Sequence, residues 1–555
     1  MNQRLLAFEA TLTTVAFIAA FLVPVSDQYL RKAWHLLSRV SSARRVVVVG
    51  VGFLALGLRA AILPLMPLPE PRIHDEFSYL LAADTFAKGR LTNPTHPLWE
   101  HFETFHVNQL PTYDSMYPPA QGLVLAVGKV LGHPWIGVLL SVALMCSVLC
   151  WMLQGWLPER WATLGGLLAV IRIAVFSYWG NSYWGGAVAA IGGLLVLGAL
   201  PRLLRHAHVG NVVCLCVGLF ILINSRPYEG LLLSVPVGVV LIARWIKTKR
   251  LSILVISPLA LAFPLLVAGA LWTAYYNWRV TGSPTRIPYQ INLETYHTAR
   301  PFIWQSPKFD LQYRHEVMRD FYSWEVQPHL LARGSIFGFL TSVAQKFGLS
   351  WWFYLGPVMS LPLLGFTRTL RDKRMYLLRI IGAIGILGLI LETWFQPHYA
   401  APFLGVIYVG LLQSMRHLYV YRRGGKAIGR RLAMIVPIVA VVMFALAVLS
   451  LRSASIQDYS FGAWCCTRPG PTDRSQLLKD LNSSGGKHLV VVRYQSDHNP
   501  HVEWVYNEAD IDKASVVFAR DMGVNQNAAL LEYFRDRHIW LLEADEFPLR
   551  LKPLR

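Results

Sequence analysis

Two carboxylates stand side by side in the run His74-Asp75-Glu76-Phe77-Ser78-Tyr79-Leu80-Leu81, just after the prolines Pro64, Pro67, Pro69 and Pro71 close an apolar stretch. A carboxylate at a membrane surface acts as a general base toward a hydroxyl at neutral pH. Cationic groups recur in other turns and loops: Arg226 in Ser225-Arg226-Pro227-Tyr228-Glu229-Gly230, Arg286 in Thr285-Arg286-Ile287-Pro288-Tyr289, Lys346, and His398 in Gln396-Pro397-His398-Tyr399. Such groups stabilise a departing phosphate, most strongly where water is excluded. Together they suit a single displacement in which a hydroxyl attacks a phosphate-linked carbon. Phosphate leaves as a stable anion, so no general acid is needed, and one displacement inverts the centre that two-step glycosidases retain.

Each signal also has a plainer meaning. Acids in a first helical turn complement the helix dipole, Arg226 and Glu229 at i, i+3 suit a structural ion pair, and interfacial Tyr and Trp form belts irrespective of function. The run Ser177-Tyr178-Trp179-Gly180-Asn181-Ser182-Tyr183-Trp184-Gly185-Gly186 exceeds a belt. Its two Tyr-Trp pairs and three glycines suit a platform for a sugar or lipid. Phe77, Leu80, Leu81 and Phe86 follow the acids at helical spacing, which predicts a short amphipathic helix lying on the bilayer.

The elements that must hold these residues are apolar. Of 555 residues, 54% are hydrophobic and 15% charged, against about 25% charged in soluble domains. Mean hydropathy is +0.39. Disorder, collagen and a disulfide scaffold are excluded. Apolar runs near the roughly 20 residues needed to cross a bilayer fall at about 9–26, 47–65, 134–156, 161–178, 185–200, 209–225, 229–245, 252–276, 350–367, 376–395, 399–415 and 432–451. The fold class expected is therefore mainly α: a polytopic bundle of about 12 spans over residues 1–451, followed by a small α/β domain over 452–555.

The net charge of +20 would in a soluble protein suggest nucleic acid. The segments Asp27–Val46, Pro201–His208, Arg244–Arg250, Arg368–Arg379 and Arg416–Arg431 together hold 22 Lys/Arg and two Asp/Glu, the whole excess. Short loops rich in Lys and Arg face the cytoplasm. This orientation places the N-terminus, the loops 67–133 and 277–349, the aromatic turn and the tail outside. The first run is then a retained span or signal anchor, with no small-residue cleavage site behind it. Pro118–Gly132 and Ser335–Gly348, short and carrying Lys129 and Lys346, read as interfacial or re-entrant helices. Loop 277–349 holds eight Lys/Arg and five Asp/Glu, with Arg314, His315 and Arg319 grouped, a balance that suits an anionic ligand.

Asp75-Glu76 with Tyr79-Leu80, then Tyr117-Pro118-Pro119 opening a juxtamembrane helix, within a many-span bundle, resembles the GT-C glycosyltransferases. These integral-membrane enzymes use polyprenyl-phosphate sugars; protein O-mannosyltransferases and the enzymes that add aminoarabinose to lipid A are similar. The resemblance covers about 420 residues in architecture and is motif-specific only near 74–120. It implies that Asp75 is the acceptor-side base, that Glu76 supports it, and that transfer to a lipid, glycan or protein acceptor takes place on the periplasmic or luminal face of a plasma (inner) membrane. The substrate-binding candidates are His74, Tyr117, Asn181, Arg226, Glu229, Arg286, Lys346 and His398.

The chain departs from that pattern in one respect. Asn181 occupies a turn where several relatives carry a second carboxylate, which leaves a divalent cation unsupported, and no His/Cys cluster marks a zinc site. No cofactor is evident, and no nucleic-acid partner is expected. Cys146, Cys150, Cys214 and Cys216 lie in apolar runs, whereas Cys465-Cys466 are adjacent in the tail, where neighbours pair only with strain. In the tail, Lys487–Tyr494, Ser515–Ala519 and His538–Leu542 read as strands and Asn527–Arg535 as a helix, behind a linker at Ser453–Gly470, and the unit reads as a structural cap over the active face, with acceptor binding as the alternative. The competing function is a transporter or flippase of lipid-linked glycans. Transporters bind near the midplane between repeated halves, and no duplicated halves are visible. A non-catalytic assembly subunit is the third reading.

Overall fold

The computed structural model describes residues 3–22, 27–206, 208–248, 253–425, 427–451 and 472–554. Every apolar run contains a helix, but length and composition divide them. Among the described residues five helices are long and apolar enough to cross a membrane: Pro134–Trp156, Ala187–Arg205, Pro227–Lys247, Lys373–Leu391 and Ile428–Ser450. Counting two bent pairs, Trp34–Ser41 with Arg44–Ala61 (107°) and Ile336–Tyr354 with Val358–Arg371 (106°), the number reaches seven. The expectation of twelve full spans is not met on that measure. Leu6–Leu22 and Val209–Ile223 are shorter, and Glu159–Ala169 passes into a single π turn at Val170–Ala174. An apolar run records burial, which packing between helices supplies as well as lipid does.

A second boundary also moves. Residues 335–348 were expected to lie apart from a span starting near 350, but Ile336–Tyr354 is one continuous helix. Ser335 caps it by accepting the N–H of Gly338 at 2.9 Å. The chain bends only after Tyr354, at Gly356 with φ +60°, ahead of Pro357. The rest of 277–349 folds into the helices Pro288–Thr295, Glu316–Glu325 and Gln327–Gly334.

The acid-bearing helix spans His74–Ala87 and does not lie on a surface. His74, Glu76, Ser78, Tyr79, Leu81 and the stretch Ala82–Thr85 are all buried, because both sides are covered by protein. On one side is the helix Pro119–Val130, where Gly122 permits contact: a Cβ there would sit 2.6 Å from Cβ of Ala82. That helix in turn lies against Pro134–Trp156, and a Cβ on Gly137 would be 2.2 Å from the carbonyl oxygen of Val124. On the other side is the tail. Phe77 stacks on Tyr506 with ring centroids 4.1 Å apart, and Leu81 shares an apolar cluster with Leu489, Val491 and Val517.

The tail forms a four-stranded sheet ordered Val516–Arg520, His488–Arg493, His538–Glu543, Arg550–Pro553. The first three strands are parallel and the last antiparallel. Their inner positions are near-continuously apolar, as a sheet covered on both faces requires. Helices Asp473–Ser484 and Val524–Tyr533 accompany it. Polar contacts accompany these apolar ones where the tail meets the bundle's loops: Arg520 Nε donates to the carbonyl of Glu103 at 2.6 Å, while its guanidinium pairs within the tail with Glu503 at 2.8 Å, both side chains almost fully buried. The linker 453–470 and Cys465-Cys466 lie outside the described residues. Cys146, Cys150, Cys214 and Cys216 are free thiols.

Candidate active site

The helix start at His74 separates the acid pair. Successive helical residues point about 100° apart, so when one acid faces a cavity the other must face elsewhere. Glu76 turns inward and accepts the backbone N–H groups of Arg72 (2.9 Å), Ile73 (3.3 Å) and Tyr183 (3.0 Å). Burial lifts its pKa to about 7 despite these donors. It is a cap and a strut to the aromatic turn, and it does not line the cavity.

Asp75 does line it. Its side chain is 24% exposed, and its Oδ1 accepts the hydroxyl proton of Tyr117. The same hydroxyl lies 3.1 Å from Nδ1 of His106, which is itself 3.8 Å from Asp75 Oδ1. His106 has φ +59°, the one positive value among the described non-glycine residues. Its carbonyl is held by the hydroxyl of Ser78 at 2.6 Å and the N–H of Met116 at 3.1 Å. A strained backbone kept in place by such contacts marks a position where geometry outweighs stability. Burial depresses the pKa of His106, with Asp75 opposing. Burial and the charge of Asp75 hold the Tyr117 phenol well above its usual range, so it stays a donor.

The cavity measures about 700 Å³, within the range of small-molecule sites. Its far end carries Arg226, Glu229, Lys346 and Glu392. The Arg226 guanidinium carbon lies 4.0 Å above the Tyr399 ring, and Nη1 is 3.4 Å from Glu229 Oε1. Lys346 donates to the carbonyls of Leu389 (3.2 Å), Ile390 (3.0 Å) and Glu392, the end of the Tyr376–Leu391 helix. The near end carries His74, whose Nδ1 is 2.7 Å from the Tyr506 hydroxyl, and His297, whose Nδ1 is 2.9 Å from Glu325 Oε2. His501, contributed by the tail, completes that wall.

Asp75, Arg226, Glu229, His74, Tyr117 and Lys346 therefore border one space. Four other candidates do not. Asn181 is buried, accepting from Arg59 Nε at 2.9 Å and donating to the carbonyls of Val175 and Ser177, so it holds the aromatic turn together. Arg286 is exposed and pairs with Glu294. His398 sits behind the wall, its Nδ1 3.0 Å from the Tyr178 hydroxyl and its ring 4.8 Å from that of Trp184. Glu76 is the fourth. The cavity residues that sequence reading missed are His106, His297, Glu325 and His501, which come from three separate segments. Only the non-local fold relates them; the one sequence hint was the excess of charge and aromatic residues in loop 277–349.

Among the described residues no group of three His, Cys, Asp or Glu is spaced to hold a metal ion. Asp75 has Tyr117 and His106 as its polar neighbours rather than a second carboxylate. These residues do not fit a divalent cation.

No protein-family model and no curated protein matches the chain. Among solved structures it is similar to the oligosaccharyltransferase of Archaeoglobus fulgidus in its apo form, at 10% identity and TM-score 0.48, over 90% of this chain and 69% of that one. It is similar to ArnT from Cupriavidus metallidurans bound to undecaprenyl phosphate, at 13% identity and TM-score 0.42, over 89% of each. Arabinosyltransferase EmbB from Mycobacterium smegmatis follows at 14% identity and TM-score 0.37, over 74% of this chain and 39% of that one. At this level of likeness no substrate and no residue role follows.

Proposed function

We propose that this protein is a multi-pass membrane glycosyltransferase of the GT-C type, moving a hexosyl or pentosyl group from a polyprenyl-phosphate donor to a lipid, glycan or protein acceptor. The observation that carries the reading is that Asp75 and Arg226, distant in the chain, line one cavity between the bundle and its soluble tail. Asp75 takes the proton of the acceptor hydroxyl while that oxygen bonds to the anomeric carbon. The bond from that carbon to the phosphate oxygen breaks, and the lipid phosphate leaves toward Arg226. One carboxylate and one displacement invert the anomeric centre. Tyr117 positions the base through its hydrogen bond.

The five basic loops favour the outer face of the plasma (inner) membrane for the cavity, and the walls of the cavity support that side. Loop 277–349 and the tail, both assigned outside by charge, supply His297, Glu325 and His501. The tail over 452–555 acts as a cap on this face. The test uses the purified protein with a panel of radiolabelled undecaprenyl-phosphate sugars and a membrane extract as acceptor. Asp75→Asn should insert and elute as wild type does yet release no undecaprenyl phosphate, a loss of at least about 10³-fold. Turnover near the wild-type level in that variant would remove Asp75 from the chemistry.

A further inference from the structure

The bundle end of the cavity holds a carboxylate that the displacement leaves unused. Glu392 is 7% exposed and lines the cavity, yet its Oε1 meets no hydrogen-bond donor among the described residues. The cations around it are engaged elsewhere. Arg226 faces Glu229 and the Tyr399 ring, and the Lys346 ammonium is spent on main-chain carbonyls, including that of Glu392 itself. Buried acceptors in native proteins nearly always have a donor, so an open one on a cavity wall marks where a ligand donates.

The charge of the whole cavity narrows what that ligand is. Among the described residues four acidic side chains line it, Asp75, Glu229, Glu325 and Glu392, against two basic ones, Arg226 and Lys346. A donor phosphate placed at Arg226 leaves a wall of acceptors facing its sugar. Hydroxyl and ammonium hydrogens are attracted there, and a carboxylate is repelled.

The geometry points to Glu392 as a sugar-binding carboxylate that accepts hydrogen bonds from hydroxyl or amino hydrogens of the glycosyl group, so that the cavity takes a neutral or cationic sugar and refuses an acidic one. This assignment rests on the polyprenyl-phosphate reading above.

The full chain, purified in detergent, is titrated by native mass spectrometry with undecaprenyl phosphate alone and with the same lipid carrying glucose, glucosamine or glucuronic acid. The wild type should bind the glucose and glucosamine lipids about tenfold or more tighter than the bare phosphate, and the glucuronic acid lipid no tighter. Glu392→Ala should erase the gain, so that all four lipids bind alike. Glu392→Gln, which keeps the shape and removes the charge, should tighten the glucuronic acid lipid by about fivefold or more. The assignment is overturned if glucuronic acid binds the wild type as well as glucose does, if no sugar improves binding, or if the gain survives both substitutions. Failure of the wild type to bind bare undecaprenyl phosphate overturns the polyprenyl-phosphate reading together with it; binding that is indifferent to Glu392 overturns this assignment alone.

Discussion

The carboxylate of Glu76 accepts the backbone N–H of Tyr183 at 3.0 Å, across 107 positions of the chain. Its neighbour Asp75 meanwhile faces the cavity. One acid of the pair holds the aromatic turn against the acid-bearing helix, and the other lines the cavity with the Tyr117 hydroxyl on its Oδ1.

The pH dependence of stability separates the two roles. Burial raises the Glu76 pKa from 4.5 to about 7. A raised folded-state value favours the protonated form, so its contribution is fully present below pH 4.5 and is lost as pH rises through 7. The stability of the wild type relative to Glu76→Gln should fall by about 3 kcal/mol across that window, read as apparent Tm in detergent at a series of pH values. A gap that stays constant from pH 4 to 8 would show that Glu76 does not titrate on unfolding.

Tyr117→Phe should slow transfer by about 10- to 100-fold with little change in donor affinity, because the substitution leaves Asp75 in place and removes the hydroxyl that orients it and touches His106. Single-turnover rates and equilibrium binding, measured on the same preparation, divide kcat from affinity. A loss confined to affinity would contradict a positioning role.

Arg226 lies between Glu229 and the Tyr399 ring. Arg226→Ala strands a buried carboxylate and should cost about 3–5 kcal/mol of stability, whereas Arg226→Gln combined with Glu229→Gln should recover most of it. Neither variant should recover undecaprenyl-phosphate binding. Restored binding in the double variant would mean that the phosphate is held elsewhere.

Arg286 offers the opposite expectation. Its partner Glu294 is exposed with it, and surface pairs of this kind contribute about 0–1 kcal/mol. Arg286→Ala should leave Tm and turnover close to wild type. A tenfold loss of turnover would return Arg286 to the list of ligands.

Much of the architecture is written locally in the chain. Span-length apolar runs, the basic loops and the apolar strands of the tail are each set by a short segment against its solvent, and the observed strands His488–Arg493, Val516–Arg520 and His538–Glu543 fall where short continuous apolar runs place them. The length of the runs misled in two places. Ile336–Tyr354 continues through a supposed boundary at 349, and short helices such as Val209–Ile223 are apolar although they do not reach the length of a full crossing.

The sequence by itself determined that the chain is a basic-looped membrane bundle with an acid pair, a Pro-Pro motif and a polar tail, because composition, periodicity and charge asymmetry are local properties. Only the tertiary structure decided which acid is exposed, that Arg226 joins Asp75 while Arg286 and Asn181 do not, and that His106, His297, Glu325 and His501 complete the wall. Those outcomes depend on helix rotation and on contacts between segments hundreds of residues apart. No local pattern encodes the angle at which the His74–Ala87 helix is clamped between Pro119–Val130 and the tail, and that angle turns Asp75 toward the cavity and Glu76 away from it.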